Sequence, residues 1–403
     1  MILKTVRAGR FFRNHEPRAT SHKRLCSHAL RATCMVLLLC AALAREAHAQ
    51  TPNTLALLPF ENVSGSVDSL RIVMPLIAQS LHDKGYELVP LQAIESFLER
   101  NRIRNTGMLS RAQLNKLRQE FGVDFAMVGS VDLFYESPDN PQWGLSARVV
   151  STSEATVLWA ESAGRTGGDY TGMLGLGTIT SATDLAGQVV KLLFQSLPPA
   201  GSPFVLPQGQ KSRMFLFSSS VPHYGGPILD AILNYFSSKG VYRNPALDTA
   251  GRLRVGVTVF ENASERRGAG RIMTDVLTAA LFQYGRFEVI DPGEVNDALI
   301  ALGRTSYGAI DIAALNEFKK RTGIDAIFRG TIYRYNEGLK REATTSPEIA
   351  LDVTMLDVES GKVLWFAFGE RSGDDSQIVL DFGIIHSMVP LIRKAIAEMM
   401  ETL

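Results

Sequence analysis

Leu55-Ala56-Leu57-Leu58-Pro59-Phe60-Glu61-Asn62 returns as Val255-Gly256-Val257-Thr258-Val259-Phe260-Glu261-Asn262, 200 residues later. Gly122-Val123-Asp124 followed by Gly129 returns as Gly323-Ile324-Asp325 followed by Gly330, and Val157-Leu158-Trp159 returns as Val363-Leu364-Trp365. The offset drifts from 200 to 201 to 206, so the copies differ only by short loop insertions. A period this long is a duplicated domain, far beyond the roughly 20–50 residues of a solenoid unit.

Working outward from that stretch, each copy reads in the same order. Leu55 to Phe60 is an apolar run of strand length. After the turn residues Asn62–Ser66, Leu70, Val73, Leu76, Ile77 and Leu81 fall at helical spacing, and Gly85 stands where a helix ends. A short strand (Tyr86–Pro90) and a helix (Gln92–Arg100) follow, then a helix with Ser110 as N-cap, closed by Gly122. Phe125–Phe134, Gly144–Ser151 and Thr156–Ala163 are three strands joined by short turns, an antiparallel meander. Thr178–Leu197 closes the copy as an amphipathic helix. The second copy places strands at Leu253–Phe260, Phe287–Ile290, Ala326–Tyr335, Ile349–Val358 and Val363–Phe368. Its helices fall at Gly270–Gln283, Gly293–Leu302, Ile312–Arg321 and Gln377–Met400. The expected fold is α/β (α+β layered): two tandem copies of a mixed β-sheet covered by helices, in the order βαβααβββα. Residues 53–197 and 253–403 are then the two domains, each expected to hold its own core. Residues 198–252 form a linker with a small insert, a strand at Met214–Phe217 and a helix at Pro227–Ser237.

The first 49 residues read as a leader. Lys4, Arg7, Arg10, Arg13, Arg18, Lys23, Arg24 and Arg31 precede an apolar run, Cys34 to Ala44, and Ala47-His48-Ala49 supplies a small-x-small cleavage signal before Gln50. The run is shorter than the roughly 20 residues a bilayer span needs. The basic region is long for a signal, so a start codon downstream of Met1 is expected. All three cysteines, Cys26, Cys34 and Cys40, lie in the leader, leaving the mature chain without disulfides. Leu39 precedes Cys40 where lipoprotein processing prefers a small residue, which argues against acylation there. The mature chain carries 33 Lys/Arg against 39 Asp/Glu, a net of −6 with no basic block, a poor footprint for nucleic acid.

No constellation in either copy reads as catalytic. His82, His223 and His386 are not at metal-ligand spacing and have no cysteine beside them, so no metal or cofactor is expected. No Gly-x-Ser-x-Gly elbow is present. Gly172, Gly175 and Gly177 follow a turn, not a strand, which fails the dinucleotide fingerprint. Glu61, Asn62, Glu261 and Asn262 sit where a first strand hands over to a helix, the position of ligand crevices in open sheets. The bland alternative is Asn holding the turn backbone. Arg266, Arg267 and Arg271 open the first helix of the second copy and offer an anion-binding turn; a solvated turn is the competing reading. Trp159 and Trp365 read as core rings, or alternatively as interface anchors.

The segment Leu57–Gly65, then Phe121-Gly122-Val123-Asp124-Phe125 with Val128-Gly129-Ser130-Val131, then Leu158-Trp159-Ala160-Glu161, resembles the TolB amino-terminal-like domain. So does the second copy, through Val259–Asn262, Thr322–Asp325, Arg329-Gly330-Thr331 and Leu356–Lys362. The related envelope group includes curli-channel (CsgG-type) and flagellar (FlgO-type) proteins. The resemblance implies a non-enzymatic, exported protein of the periplasm or outer-membrane periphery that binds envelope proteins or an assembly machine. An oligomer, or a structural ring component, is compatible with it. The long membrane-inserting hairpins of the curli-type relatives have no counterpart here. Two other readings compete: a periplasmic sensor of an anionic small molecule at the Arg266–Arg271 turn, and an enzyme with a carboxylate site that sequence does not display.

Overall fold

The computed structural model describes residues 53–171, 176–207, 240–304, 312–339, 346–377 and 383–403. The strand at Met214–Phe217, the helix at Pro227–Ser237, His223 and most of the glycine loop before the last helix of the first copy lie outside them. So does the leader.

The duplicated stretch forms the heart of two mixed sheets. In the first, β1 (Thr54–Leu57) runs parallel to β3 (Glu87–Leu88) on one side and to β4 (Phe125–Tyr135) on the other. β5 (Gln142–Ser151) and β6 (Val157–Thr166) then add antiparallel, giving the order β3-β1-β4-β5-β6. The second sheet repeats this as β10 (Glu288–Ile290), β8 (Arg254–Val257), β11 (Ala326–Asn336), β12 (Glu348–Asp357) and β13 (Val363–Ser372). The expected meander is present in both. The segment between the copies contributes β7 (Val241–Arg243), which pairs antiparallel with β13 and extends the second sheet at its edge.

The first strand breaks after Leu57 and resumes as β2 (Glu61–Asn62), parallel to β4. Pro59 is not the cause, because the second copy has Val259 there and breaks identically, resuming as β9 (Glu261–Asn262). What the copies share is a buried phenylalanine at the break lying on a glycine of the neighbouring strand. A Cβ on Gly129 would stand 2.5 Å from the Phe60 ring, and one on Gly330 2.5 Å from the Phe260 ring. The recurring Phe and Gly of the two motifs are therefore one packing unit, in which only glycine leaves room for the ring. The tryptophans are a second such unit. Trp159 Nε1 donates to Ser196 Oγ and Trp365 Nε1 to Thr402 Oγ1, both at 3.0 Å. These are core rings whose polar edge finds a hydroxyl in the chain just past the closing helix.

In the first copy, α1 (Val67–Asp83) and α4 (Ala182–Leu193) cover one face of the sheet, and α2 (Leu91–Arg100) and α3 (Arg111–Phe121) cover part of the other. Ser110 caps α3 through a reciprocal box with Gln113. The second copy sets α5 (Ala269–Tyr284) and α8 (Met388–Met400) on the first kind of face, and α6 (Pro292–Ala301) and α7 (Ile312–Thr322) on the second. The closing helix starts at Met388, later than the expected Gln377; Gly373–Ser376 forms a separate 3₁₀ turn, and the stretch 383–387 just before the helix is not helical.

Two self-sufficient cores are not what is found. Pro52–Leu403 is a single compact unit, and one apolar cluster runs through both copies, from Leu55 to Leu403. Smaller clusters lie under α2 and α3 in the first copy and under α6 and α7 in the second. The reason is α5. Its residues from Ala269 to Phe282 are all buried, because it packs on its own sheet on one side and on β5 and β6 of the first copy on the other. A helix covered all round belongs to the interior, and here that interior is the junction of two repeats. The apolar cluster runs across the division into residues 53–197 and 253–403.

Candidate functional site

Three of the charged side chains singled out in the sequence, Glu61, Arg266 and Arg271, lie at this junction. Arg271, in the first turn of α5, stands with its Nε 3.1 Å from Glu61 Oε2 of the first copy and 3.3 Å from Asp275 Oδ2. Its Nη2 donates to Gly107 O at 2.6 Å. Arg148, in the middle of β5, is buried against the same groups. Its Nη1 donates to Asp275 Oδ1 at 2.9 Å, its Nε to Asp291 Oδ2 at 2.5 Å, and its Nη2 to Gly107 O at 2.6 Å. Burial by itself would lower the Arg148 pKa, but Asp291 and Asp275 outweigh it and raise the value, so the guanidinium stays charged.

A ring of small polar groups extends this cluster. β4 has a bulge between Val131 and Leu133, and β11 has one between Ile332 and Arg334. The extra residue re-aims a side chain onto the face its neighbours already use. In the first copy that residue is Asp132, fully buried, accepting from Ser130 Oγ and Ser146 Oγ at 2.6 Å each. Ser130 Oγ also lies 3.0 Å from Asp275 Oδ2. One hydroxyl proton cannot serve two carboxylates. Burial, and then the charge of Asp275, raise the Asp132 pKa to about 7, against a lowering by the two serines and Arg271. A protonated Asp132 donates to one serine and frees the Ser130 proton for Asp275.

The other sequence candidates take simpler roles. Asn62 Nδ2 donates to Ser66 O, and its Oδ1 accepts from Ser64 Oγ and the Gly65 amide. Asn262 repeats this with Arg266 O, Ser264 Oγ and the Ser264 amide. Both asparagines hold their turns, the turn-chemistry reading. Glu261 is exposed. Arg266 and Arg271 are both engaged by carboxylates. Arg266 pairs with Glu337 at 2.8 Å and reaches Val63 O and Asp132 O of the first copy. An anion would have to displace Glu61 and Asp275 from Arg271. Arg267 is exposed.

Sequence reasoning missed Arg148, Asp132, Asp275 and Asp291. For Arg148, Asp132 and Asp275 the signal was a charge set in the middle of an otherwise apolar or small-residue element, which requires a buried partner; Asp291 stands between β10 and α6 as an N-cap. Small residues mark the same face. A Cβ added at Gly144 would meet Val389 Cγ2 at 2.9 Å, and one at Gly164 would meet Val389 Cβ at 3.0 Å, so α8 lies directly on the backbone of β5 and β6.

One group at the junction is imperfectly housed. Tyr335 is buried, and its hydroxyl has no hydrogen-bond partner among the described residues. Burial, with Glu337 and Asp132 nearby, raises its pKa well above the ordinary value. Tyr335→Phe is therefore expected to stabilise the protein by about 1 kcal/mol, the desolvation penalty of an unmade bond. A melting comparison in which the phenylalanine variant has the lower midpoint would show that the hydroxyl is satisfied.

Among the described residues, no helix is long and apolar enough to cross a membrane. The model of a family described as "Putative lipoprotein GNA1162-like" matches residues 45–188, the first copy and the end of the leader. No curated protein matches the chain. Among solved structures it is similar to lipoprotein GNA1162 from Neisseria meningitidis, at 22% identity, over 36% of this chain and 98% of that one, with a TM-score of 0.28. It is similar to the PelC dodecamer from Paraburkholderia phytofirmans at 16% identity, over 40% and 96%, with a TM-score of 0.28. The C-terminal domain of LpoB from Escherichia coli matches at 15%, over 32% and 89%, with a TM-score of 0.24. Over residues 45–188 the chain is thus similar to a lipoprotein-like family, and the TolB-like description is not among these matches.

Proposed function

We propose that the protein is exported and works in the cell envelope by binding other proteins, without catalysing a reaction. The observation that carries this reading is the match of residues 45–188 to a family of putative lipoproteins, beginning at the end of a leader of secretory type. Support comes from the junction as well. Its ionisable groups, the kind an enzyme would employ, face one another in the interior and hold two repeats together. The chain offers its partners broad sheet and helix surfaces, the elements that strand addition and side-chain anchoring use. The TolB-like and curli-type resemblance of the two motif sets points to the same kind of work.

The family's description bears on Cys40. Cleavage after Ala49 releases a chain beginning at Gln50, whereas acylation would make Cys40 the first residue and tether the protein by a twelve-residue segment ending at Thr51. We expect the native protein to fractionate with the envelope, and mass determination of its amino terminus to give Gln50. Acylated Cys40 would keep the envelope reading and correct the attachment. An unprocessed chain in the cytoplasmic fraction would remove the proposal.

A further inference from the structure

The junction between the copies is not symmetric. The outer side of the second copy's helix layer, α5 and α8, lies on the first sheet, on the face that carries Ser130, Asp132, Ser146 and Arg148. Such a head-to-tail contact uses two different surfaces, and each repeat owns both. One of each remains unused. Among the described residues, the first copy's helix layer has its outer side in solvent, and the part of the second sheet's corresponding face around Tyr333 and Phe368, beyond α6 and α7, is exposed.

The unused faces correspond to the used ones position by position. On the offset of 200 that aligns Phe60 with Phe260, Arg271 of α5 corresponds to Arg71 of α1, and Glu61 corresponds to Glu261. The register agrees, since Glu61 lies opposite Ser130 and Glu261 opposite Thr331. Arg71 is 79% exposed and, among the described residues, pairs with Asp68 of its own helix turn. Glu261 is exposed beside the open sheet face. On that face Tyr333 takes the bulge position of Asp132, and its hydroxyl donates to Asp352, the counterpart of Ser146. Tyr333, Phe368 and Tyr242 are 52%, 46% and 49% exposed, a cluster of large rings in solvent. Across from it, α1 would bring Val67, 88% exposed, with Ile72, Met74 and Leu76 half-buried beside it.

We infer that a second copy of this chain docks there: the α1/α4 layer of one molecule covers the open face of another's second sheet, with Arg71 meeting Glu261 as Arg271 meets Glu61 within the chain. The contact leaves the same two faces free at the ends of the pair, so it propagates to a closed ring or a filament. It is weaker than the internal junction. Ala350 and Glu370 replace Gly144 and Gly164, which holds the incoming layer farther from the sheet, and Thr354 replaces Arg148. Association is therefore concentration-dependent. The inference rests on the repeat geometry and not on where the protein resides.

The test is sedimentation velocity on the chain from Gln50 onward over a concentration series. Wild-type protein should rise above the mass of one chain. Arg71→Glu and Glu261→Arg are surface changes, checked for folding by circular dichroism. Each should weaken self-association by about 30-fold or more, because like charges then face each other. An equimolar mixture of the two should associate again. Each contact between the two variants sets either the introduced glutamate against the introduced arginine or native Arg71 against native Glu261. A wild-type chain that stays single at all concentrations overturns the inference. So do single variants that associate like wild type, or a mixture that stays apart.

Discussion

Replacing Arg148 by leucine is expected to destabilise the protein by about 3–5 kcal/mol, the range for removing one partner of a buried ionic group. Leucine fills much of the space but leaves Asp275 and Asp291 facing each other's charge in the interior, and it leaves Gly107 O with Arg271 Nη2 as its donor. Lysine in the same place keeps the charge. Its single ammonium cannot reproduce a planar fork that contacts two carboxylates and a carbonyl, so Arg148→Lys should fall between leucine and wild type. The remedy is equally specific. Adding Asp275→Asn and Asp291→Asn to Arg148→Leu removes the stranded charges. The amide introduced at position 291 retains an oxygen to accept from Gly293 N, as Asp291 does at 2.7 Å. The triple variant should recover a large part of the loss in guanidinium denaturation. If Arg148→Leu alone costs less than about 1 kcal/mol, the cluster does not join the repeats.

The location of this cluster explains which parts of the molecule were legible in the sequence. Strand and helix order followed from local periodicity and from the repeat, because each element's apolar stripe faces a neighbour in the same copy. Ser110 and the paired asparagines were legible because capping and turn chemistry are local. The junction was not, since its partners lie more than a hundred residues apart: Arg148 is 127 residues from Asp275 and 143 from Asp291. Even so, α5 carried a sign of it. Its first-copy counterpart α1 is amphipathic, with Arg71, Pro75, Gln79 and His82 on the exposed side. In α5 the positions of Gln79 and His82 become Ala279 and Phe282, which leaves little polar face for water and so predicts a second covered side. The second sheet's extra edge strand, β7, was not legible at all, because three residues offer no periodicity.

Asp132 should make the protein less stable as pH rises from about 4 to 7. Its pKa is about 7 in the fold against an ordinary value of 3.8, so between those values the folded state holds a proton that the unfolded state has released. Unfolding then sheds protons, and the stability contributed by the neutral acid is complete below pH 3.8 and lost as pH climbs through 7. At 1.36 kcal/mol per unit, the whole shift is worth about 4 kcal/mol, of which about 3 falls between pH 5 and pH 8. Asp132→Asn imitates the protonated acid. The amide donates to one serine and accepts from the other, as the neutral carboxyl does, and it carries no charge to repel Asp275. The asparagine variant should therefore gain on wild type by about 3 kcal/mol when denaturation is compared at pH 5 and pH 8. Other titrating groups are common to both proteins and cancel in that difference. A gap that is the same at both pH values would mean that Asp132 is already ionised in the fold, with Arg271 and the serines outweighing its burial. The cluster would then hold three carboxylates, Asp132, Asp275 and Asp291, against Arg148 and Arg271, an excess of negative charge that the Glu61 contact to Arg271 only deepens. The neutral acid avoids that imbalance, which is the physical reason to expect the pH dependence in the direction given.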